Sequence, residues 1–179
     1  MASELQKKKW ANMFNMFDVN GDGKIEQADF ELFHTRLYEM RGIGPGDAQF
    51  DDLNGRFAGF AQALQQVTQS DSVGMDDWIS FLSGVANAPQ KYQIVRPISE
   101  AIFGLWDLNG DGHVSLSEYR KLCTVMRLGE EYADQIFTKL DLNQDQRITV
   151  DELITLSDEF FVGDDPAAPG NLFFGNFTA

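Results

Sequence analysis

Basic residues are scarce in this chain: 14 Lys and Arg stand against 28 Asp and Glu, giving a formal net charge of −14 over 179 residues. Such a surface repels phosphate backbones and anionic lipid, which excludes nucleic acid and the membrane surface as default partners. Cysteine is almost missing, and the single Cys123 cannot form an intrachain disulfide, which is compatible with a reducing compartment. It stands with Tyr119, Leu122 and Met126 at helical spacing, as a packed core thiol does and a nucleophile does not. No run approaches 18 apolar residues, the opening Met-Ala-Ser-Glu has no apolar signal core, and residue 2 is Ala where myristoylation needs Gly. A cytoplasmic protein with no membrane insertion is therefore expected. The only histidines are His34 and His113, and His34 lies on an apolar helix face, where a satisfied core residue is expected.

What the chain has in quantity is carboxylates at regular spacing. Residues 107–118 read Asp-Leu-Asn-Gly-Asp-Gly-His-Val-Ser-Leu-Ser-Glu. Oxygen side chains stand at positions 1, 3, 5, 9 and 12, Gly at 6 and an aliphatic residue at 8, which is the EF-hand loop pattern. Asp107, Asn109 and Asp111 converge through a tight turn, His113 offers its backbone carbonyl, Ser115 acts through a water, and Glu118 closes the site. Gly112 supplies the left-handed backbone that bends the loop.

The pattern recurs with informative flaws. Loop one, residues 18–29, offers Asp18, Asn20, Asp22, the carbonyl of Lys24, and Glu26, but closes on Asp29. Asp29 is one methylene short of easy bidentate reach, so weaker Ca2+ binding and better tolerance of octahedral Mg2+ are expected there. Loop four, residues 141–152, offers Asp141, Asn143, Asp145, the carbonyl of Arg147, Thr149 and Glu152. Its flaw is Gln146 at position 6, where a left-handed backbone costs about 1 kcal/mol relative to Gly. Loop two is found only by internal alignment, with Val73 at position 8 and Asp77 at position 12. Gln66, Thr68 and Ser70 then occupy positions 1, 3 and 5, and these neutral groups predict a turn that holds no ion.

Apolar residues at helical spacing flank the loops. Trp10, Met13, Phe14 and Phe17 enter loop one, while Lys7, Lys8 and Lys9 before them read as a solvated helix surface. Phe30, Phe33 and Leu37 leave it, Phe50, Leu53, Phe57, Phe60 and Leu64 form a third stripe, and Trp78, Phe81, Leu82 and Val85 a fourth. The helix predicted over residues 90–106 contains Pro97, which must kink it or set its first turn. Trp106 precedes Asp107, so its fluorescence should report metal. The segment 164–170 is predicted not to be helical, whereas Leu172, Phe173, Phe174 and Phe177 are apolar enough to fold back and plug an opening between helices.

These readings give an all-α fold of two paired EF-hand lobes, four helix-loop-helix units packed into one compact globule with short β pairings between loops. Residues 1–88 form the first pair, 89–163 the second, and 164–179 an apolar tail. Val73 would pair with Ile25, and Ile148 with Val114. Three bound Ca2+ would bring the charge from −14 to about −8.

Four loops with the second degenerate, in an acidic and aromatic-rich chain, resemble the sarcoplasmic calcium-binding proteins and their calerythrin-like relatives across essentially the whole sequence. Asp at the last position of loop one recurs in that family. The resemblance implies a nearly globular, non-enzymatic Ca2+ and Mg2+ buffer or transporter, a monomer to which a protein target is not required. The same loop arrangement is similar to coelenterazine-using photoproteins and luciferin-binding proteins. Photoproteins place His, Trp and Tyr around their ligand, including positions near the carboxyl end, and here no His or Tyr follows Tyr132. A luciferin carrier, which needs only an apolar cavity, remains an alternative. A calcium sensor opening a groove for a target helix is the third. Sensors of that kind rely on Met-rich surfaces, and six Met among 15 Phe favour a closed core.

Overall fold

The computed structural model describes residues 2–44, 46–47, 50–51, 70–126, 128 and 130–175. The third apolar stripe lies, beyond Phe50, outside the described residues, as do Gln66, Thr68 and Phe177 and the side chains of His34 and Leu37. Among the described residues seven α-helices alternate with loops and four two-residue strands. They are α1 (Glu4–Phe17), β1 (Lys24–Ile25), α2 (Gln27–Arg41), β2 (Val73–Gly74), α3 (Met75–Asn87), α4 (Lys91–Trp106), β3 (Val114–Ser115), α5 (Leu116–Met126), α6 (Ala133–Leu140), β4 (Arg147–Ile148) and α7 (Val150–Phe161). No described helix is long and apolar enough to cross a membrane.

Local chemistry sets the helix ends. Ser3 caps α1 and forms a reciprocal capping box with Gln6. Thr149 and Glu152 do the same for α7, so the closing residue of loop four also starts the helix that follows. Pro97 lies well inside α4 and not in its first turn, and the helix continues through it without that N–H.

The loops pair as expected. Ile25 is opposite Val73, and Val114 is opposite Ile148, each pair antiparallel and fully within the core. Loop two therefore survives as the structural partner of loop one. Above these pairs sits one continuous core. Trp78 packs edge-on to Phe14 at 6.3 Å and donates its indole N–H to Trp10 O at 2.9 Å. In the second half Trp106 lies 5.7 Å from Tyr119, which lies 5.9 Å from Phe137. Cys123 is buried there as a core thiol. Burial, then the Cys123 thiol, pushes the Tyr119 phenol well above its ordinary range. The halves are not independent, because α2 packs on α5 and α1 on α7.

The described part of the tail lies against the core. Phe173 stacks on Trp106 with ring centroids 4.9 Å apart and an interplanar angle of 24°, and Phe174 meets Phe160 edge-on at 5.0 Å. The non-helical expectation for residues 164–170 is corrected at its end, where a 3-10 turn spans Pro169–Leu172. Proline at its first position has a pre-set φ suited to the turn and no N–H to leave unbonded. A Cβ on Gly170 would overlap Leu156 O and the Glu159 side chain, so the tail lies directly against α7.

Lys9 is a second correction. It is not solvated: its side chain is 0% exposed, and Nζ donates to Glu159 O at 2.8 Å and Gly163 O at 3.0 Å. Its helix face, shared with the buried Trp10 and Met13, turns towards α7 once α1 docks. Burial pushes the ammonium down to about 8, opposed by the Asp164 and Glu159 carboxylates. The unfolded chain therefore binds more protons than the folded one between pH 8 and 10.5, and this group's contribution to stability rises with pH across that window. Urea melts at pH 7.5 and 10 should show the wild type gaining about 2 kcal/mol relative to Lys9→Met, since titrations shared by both proteins cancel in the difference. No gain relative to the variant would mean that Lys9 titrates as a solvated group.

Candidate metal centres

Each of loops one, three and four wraps its first carboxylate in backbone N–H groups. In loop three, Asp107 Oδ1 accepts from Gly110 N and Asp111 N at 2.8 and 3.1 Å, and Oδ2 accepts from Gly112 N at 3.0 Å. Asp18 repeats this with Gly21, Asp22 and Gly23 at 2.8 to 3.0 Å. Asp141 accepts from Asp145 N and Gln146 N at 3.2 and 2.7 Å. The middle residues form a second tier in all three: Asn20, Asn109 and Asn143 each accept from the N–H two residues on and donate to Asp22, Asp111 or Asp145. These Asx turns hold alternate oxygens around one bend.

The closing carboxylate completes the wiring. Glu118 Oε1 accepts from Leu108 N and Asn109 N at 3.0 and 3.1 Å, while Oε2 accepts from Ser115 N at 2.8 Å and Ser115 Oγ at 2.7 Å. Glu152 bridges Asn143 N at 3.2 Å and Thr149 N at 2.9 Å in the same way. Asp29 makes the matching contacts despite its shorter side chain, with Val19 N at 3.0 Å, Asn20 N at 3.2 Å and Glu26 N at 3.0 Å. Asp29 and Glu118 therefore touch the same three loop positions, 2, 3 and 9, despite their different lengths.

The electrostatics of these groups are unusual. Asp29, Glu118, Asp141 and Glu152 are all buried, at 1 to 9% exposure. Among the described residues none of them is ion-paired with Lys or Arg. Backbone N–H groups and the Ser115 and Thr149 hydroxyls supply their hydrogen bonds and no compensating charge, and buried charge without a counter-charge is expensive. A hard cation is the partner that such all-oxygen sets fit. Among the described residues no three His, Cys, Asp or Glu side chains converge as a metal cluster.

The remaining candidates fall as follows. Lys24, His113 and Arg147 stand at position 7, and Lys24 and Arg147 open the short strands β1 and β4. The His113 ring also contacts Asp111, with Nδ1 2.9 Å from Oδ1, which the sequence reading did not anticipate. Glu26 lies 3.8 Å from Lys24 Nζ. In loop two, Ser70 Oγ donates to Ser72 O at 2.6 Å and accepts from Ser72 N at 3.1 Å, so its hydroxyl is used in a local turn. Asp77, at the closing position, is exposed where its three counterparts are buried.

Loop four is more strained than its sequence suggests. Gln146 has φ 69° as expected, and Gln144 also has φ 62°. Gly21, Gly23, Gly110 and Gly112 occupy the same two positions of loops one and three, all at positive φ. The signal for Gln144 was available by aligning position 4 across the loops.

The family profile described as EF hand matches residues 11–34, 100–123 and 133–157, which contain loops one, three and four in full. Calerythrin of Saccharopolyspora erythraea is 25% identical over 172 residues, covering 91% of this chain and 93% of that protein. A sarcoplasmic calcium-binding protein of Perinereis vancaurica tetradentata is 27% identical, covering 97% and 98%. The Ca-loaded apo form of a coelenterazine-binding protein from Renilla muelleri superposes with a TM-score of 0.78 at 21% identity, covering 98% and 99%, a likeness of fold. Three loops with one shared wiring, two loop pairs over one core, and relatives matched over nearly their whole length make this chain similar to the EF-hand calcium-binding proteins, the sarcoplasmic calcium-binding proteins and calerythrin among them.

Proposed function

We propose that this chain binds Ca2+ through loops one, three and four and acts as a closed buffer or carrier of the ion, without enzymatic activity. The buried closing carboxylates carry this reading: Asp29, Glu118 and Glu152 are held in place by backbone N–H groups and lack a counter-charge among the described Lys and Arg. Bound Ca2+ supplies that charge. Asp18, Asn20, Asp22, Lys24 O, Glu26 and Asp29 would hold one ion. Asp107, Asn109, Asp111, His113 O, Ser115 and Glu118 would hold another, and Asp141, Asn143, Asp145, Arg147 O, Thr149 and Glu152 a third. The residues 18–29 are the set with the best tolerance of Mg2+, having the shortest closing arm. Aromatic packing favours a buffer over a sensor, because the apolar face of α4 and α7 is already filled by Phe173 and Phe174.

Calorimetric titration tests the count: two to three tight Ca2+ per chain agree with it, and fewer than two or more than three overturn it. Hydrophobic dye tests the mode, since a buffer stays dark when Ca2+ is added at constant Mg2+ and a sensor brightens. A prediction specific to loop four follows from its two strained residues. Gln144→Gly with Gln146→Gly should tighten that site up to about ten-fold, each left-handed Gln costing about 1 kcal/mol, part of which the ion-free loop already bears. Competition with a chelating indicator measures it, and unchanged affinity would mean that the strain is equal in the free and loaded loop.

A second reading, a carrier of a coelenterazine-like luciferin, draws on one observation. Trp10 Nε1 and Ser157 Oγ are buried without a hydrogen-bond partner among the described residues, and an interior ligand could satisfy them. Mixing with coelenterazine decides it, a spectral shift supporting the carrier and an unaltered spectrum removing it.

A further inference from the structure

The cap of α1, Ser3, and three polar side chains of the helix reach across to the end of the last helix and the segment beyond it. Ser3 Oγ donates to Asp164 Oδ1, Gln6 Nε2 to Val162 O at 2.9 Å, and Asn12 Nδ2 to Phe174 O at 2.7 Å. Between them Lys9 Nζ donates to Glu159 O and Gly163 O. Successive members of this row are three residues apart and so are neighbours on the helix surface. None of them is a proposed metal ligand.

The acceptors explain why the row is polar. Glu159 O is among the last carbonyls of α7, which lack intrahelical donors. Val162 O and Gly163 O follow directly, where the chain turns into the tail. A positive charge at a helix C-terminus is also favourable. Yet an ammonium with 0% exposure is a costly way to fill space, and a methionine would pack there at no electrostatic cost. Lys9 makes sense as a fastener aimed at two defined carbonyls. What it fastens is the start of the segment that seats Phe173 on Trp106 and Phe174 on Phe160 and Phe161. Asn12 grips the same segment at its far end, through the carbonyl of Phe174 itself.

We propose that α1 and its cap are a clasp: Lys9 and Gln6 fix the end of α7 and the turn at 162–163, Ser3 and Asn12 hold Asp164 and Phe174, and together they keep the tail over the apolar face of α4 and α7 in both the metal-free and the Ca2+-loaded chain. Its statement about the loaded chain rests on the buffering reading; its statement about the metal-free chain does not. Released, the same face would expose Trp106, Phe160 and Phe161 to solvent.

The test uses the full chain, a triple variant Ser3→Ala, Gln6→Ala, Asn12→Ala, and Lys9→Met. Chymotrypsin cleavage at Phe173 and Phe174 and hydrophobic-dye binding are read in chelator and in Ca2+. The wild type should resist cleavage and stay dark in both. Each variant should be cut about ten-fold faster and bind dye, with the helical circular dichroism and Ca2+ stoichiometry of the wild type. Cleavage and dye binding within two-fold of the wild type in chelator would overturn the clasp. If the triple variant or Lys9→Met loses helical signal, Asn12→Ala alone decides, since it removes one hydrogen bond to Phe174 O: about five-fold faster cleavage supports the clasp, and an unchanged rate overturns it. Dye uptake by the wild type on adding Ca2+ would defeat the loaded-state half and the buffering reading together, while the chelator comparison still judges the clasp by itself.

Discussion

Replacing Glu118 with Gln is expected to weaken Ca2+ binding at loop three about 100-fold, the largest single effect on affinity in this chain. The amide removes one of the negative charges facing the ion and turns an NH2 towards Ser115, whose N–H and hydroxyl both donate to Glu118 Oε2. A donor facing donors leaves hydrogen bonds unmade in a residue only 4% exposed. Losing a charge-assisted contact together with that pairing costs about 2 to 3 kcal/mol, hence the two decades. Asp29→Asn should cost less, because the shorter side chain offers a weaker second ligand to begin with. The structure narrows that difference, since Asp29 meets N–H groups at the same three loop positions as Glu118. Calorimetry on both variants ranks them. If Glu118→Gln leaves the tightest binding phase untouched, loop three is not the strongest site.

The largest expected loss of stability comes from Phe173→Ala, at about 3 to 5 kcal/mol. Phe173 is fully buried, stacked on Trp106 and 6.1 Å from Phe160, so truncation removes transfer energy and leaves a cavity in a face that the chain cannot easily collapse. Against a usual total of roughly 5 to 15 kcal/mol this is a large fraction. Leu172→Ala, at a half-buried neighbour, should cost much less. Urea midpoints in chelator give both values, and Trp106 emission should shift in the Phe173 variant alone. A loss below about 1 kcal/mol for Phe173→Ala would mean that the tail is an accessory to the core and not part of it.

The two experiments address different layers of the molecule. Glu118 acts within twelve consecutive residues, where the turn, the cap and the ligand set are one local unit. Phe173 acts across the fold, where α4, α7 and the tail meet. That division also separates what could be read from sequence.

The loops were legible because an EF-hand loop is a local object: ligand spacing, the bend at Gly23 or Gly112 and the closing carboxylate all lie within one stretch of chain. The pairings Ile25 with Val73 and Val114 with Ile148 followed from aligning those stretches, and the fold class followed from the pairing. The sequence by itself therefore determined the helical fold class, the spacing of the loops and which strands pair, all of which rest on patterns within short stretches of the chain. The tertiary structure alone decided the fate of Lys9, because a lysine run looks solvated until another helix end arrives to supply carbonyls and exclude water. It decided that Asp29 touches the same three loop positions as Glu118 despite its shorter side chain. It decided, too, that Ser3, Gln6, Lys9 and Asn12 act as one row, because their partners lie some 150 residues away, beyond any local pattern.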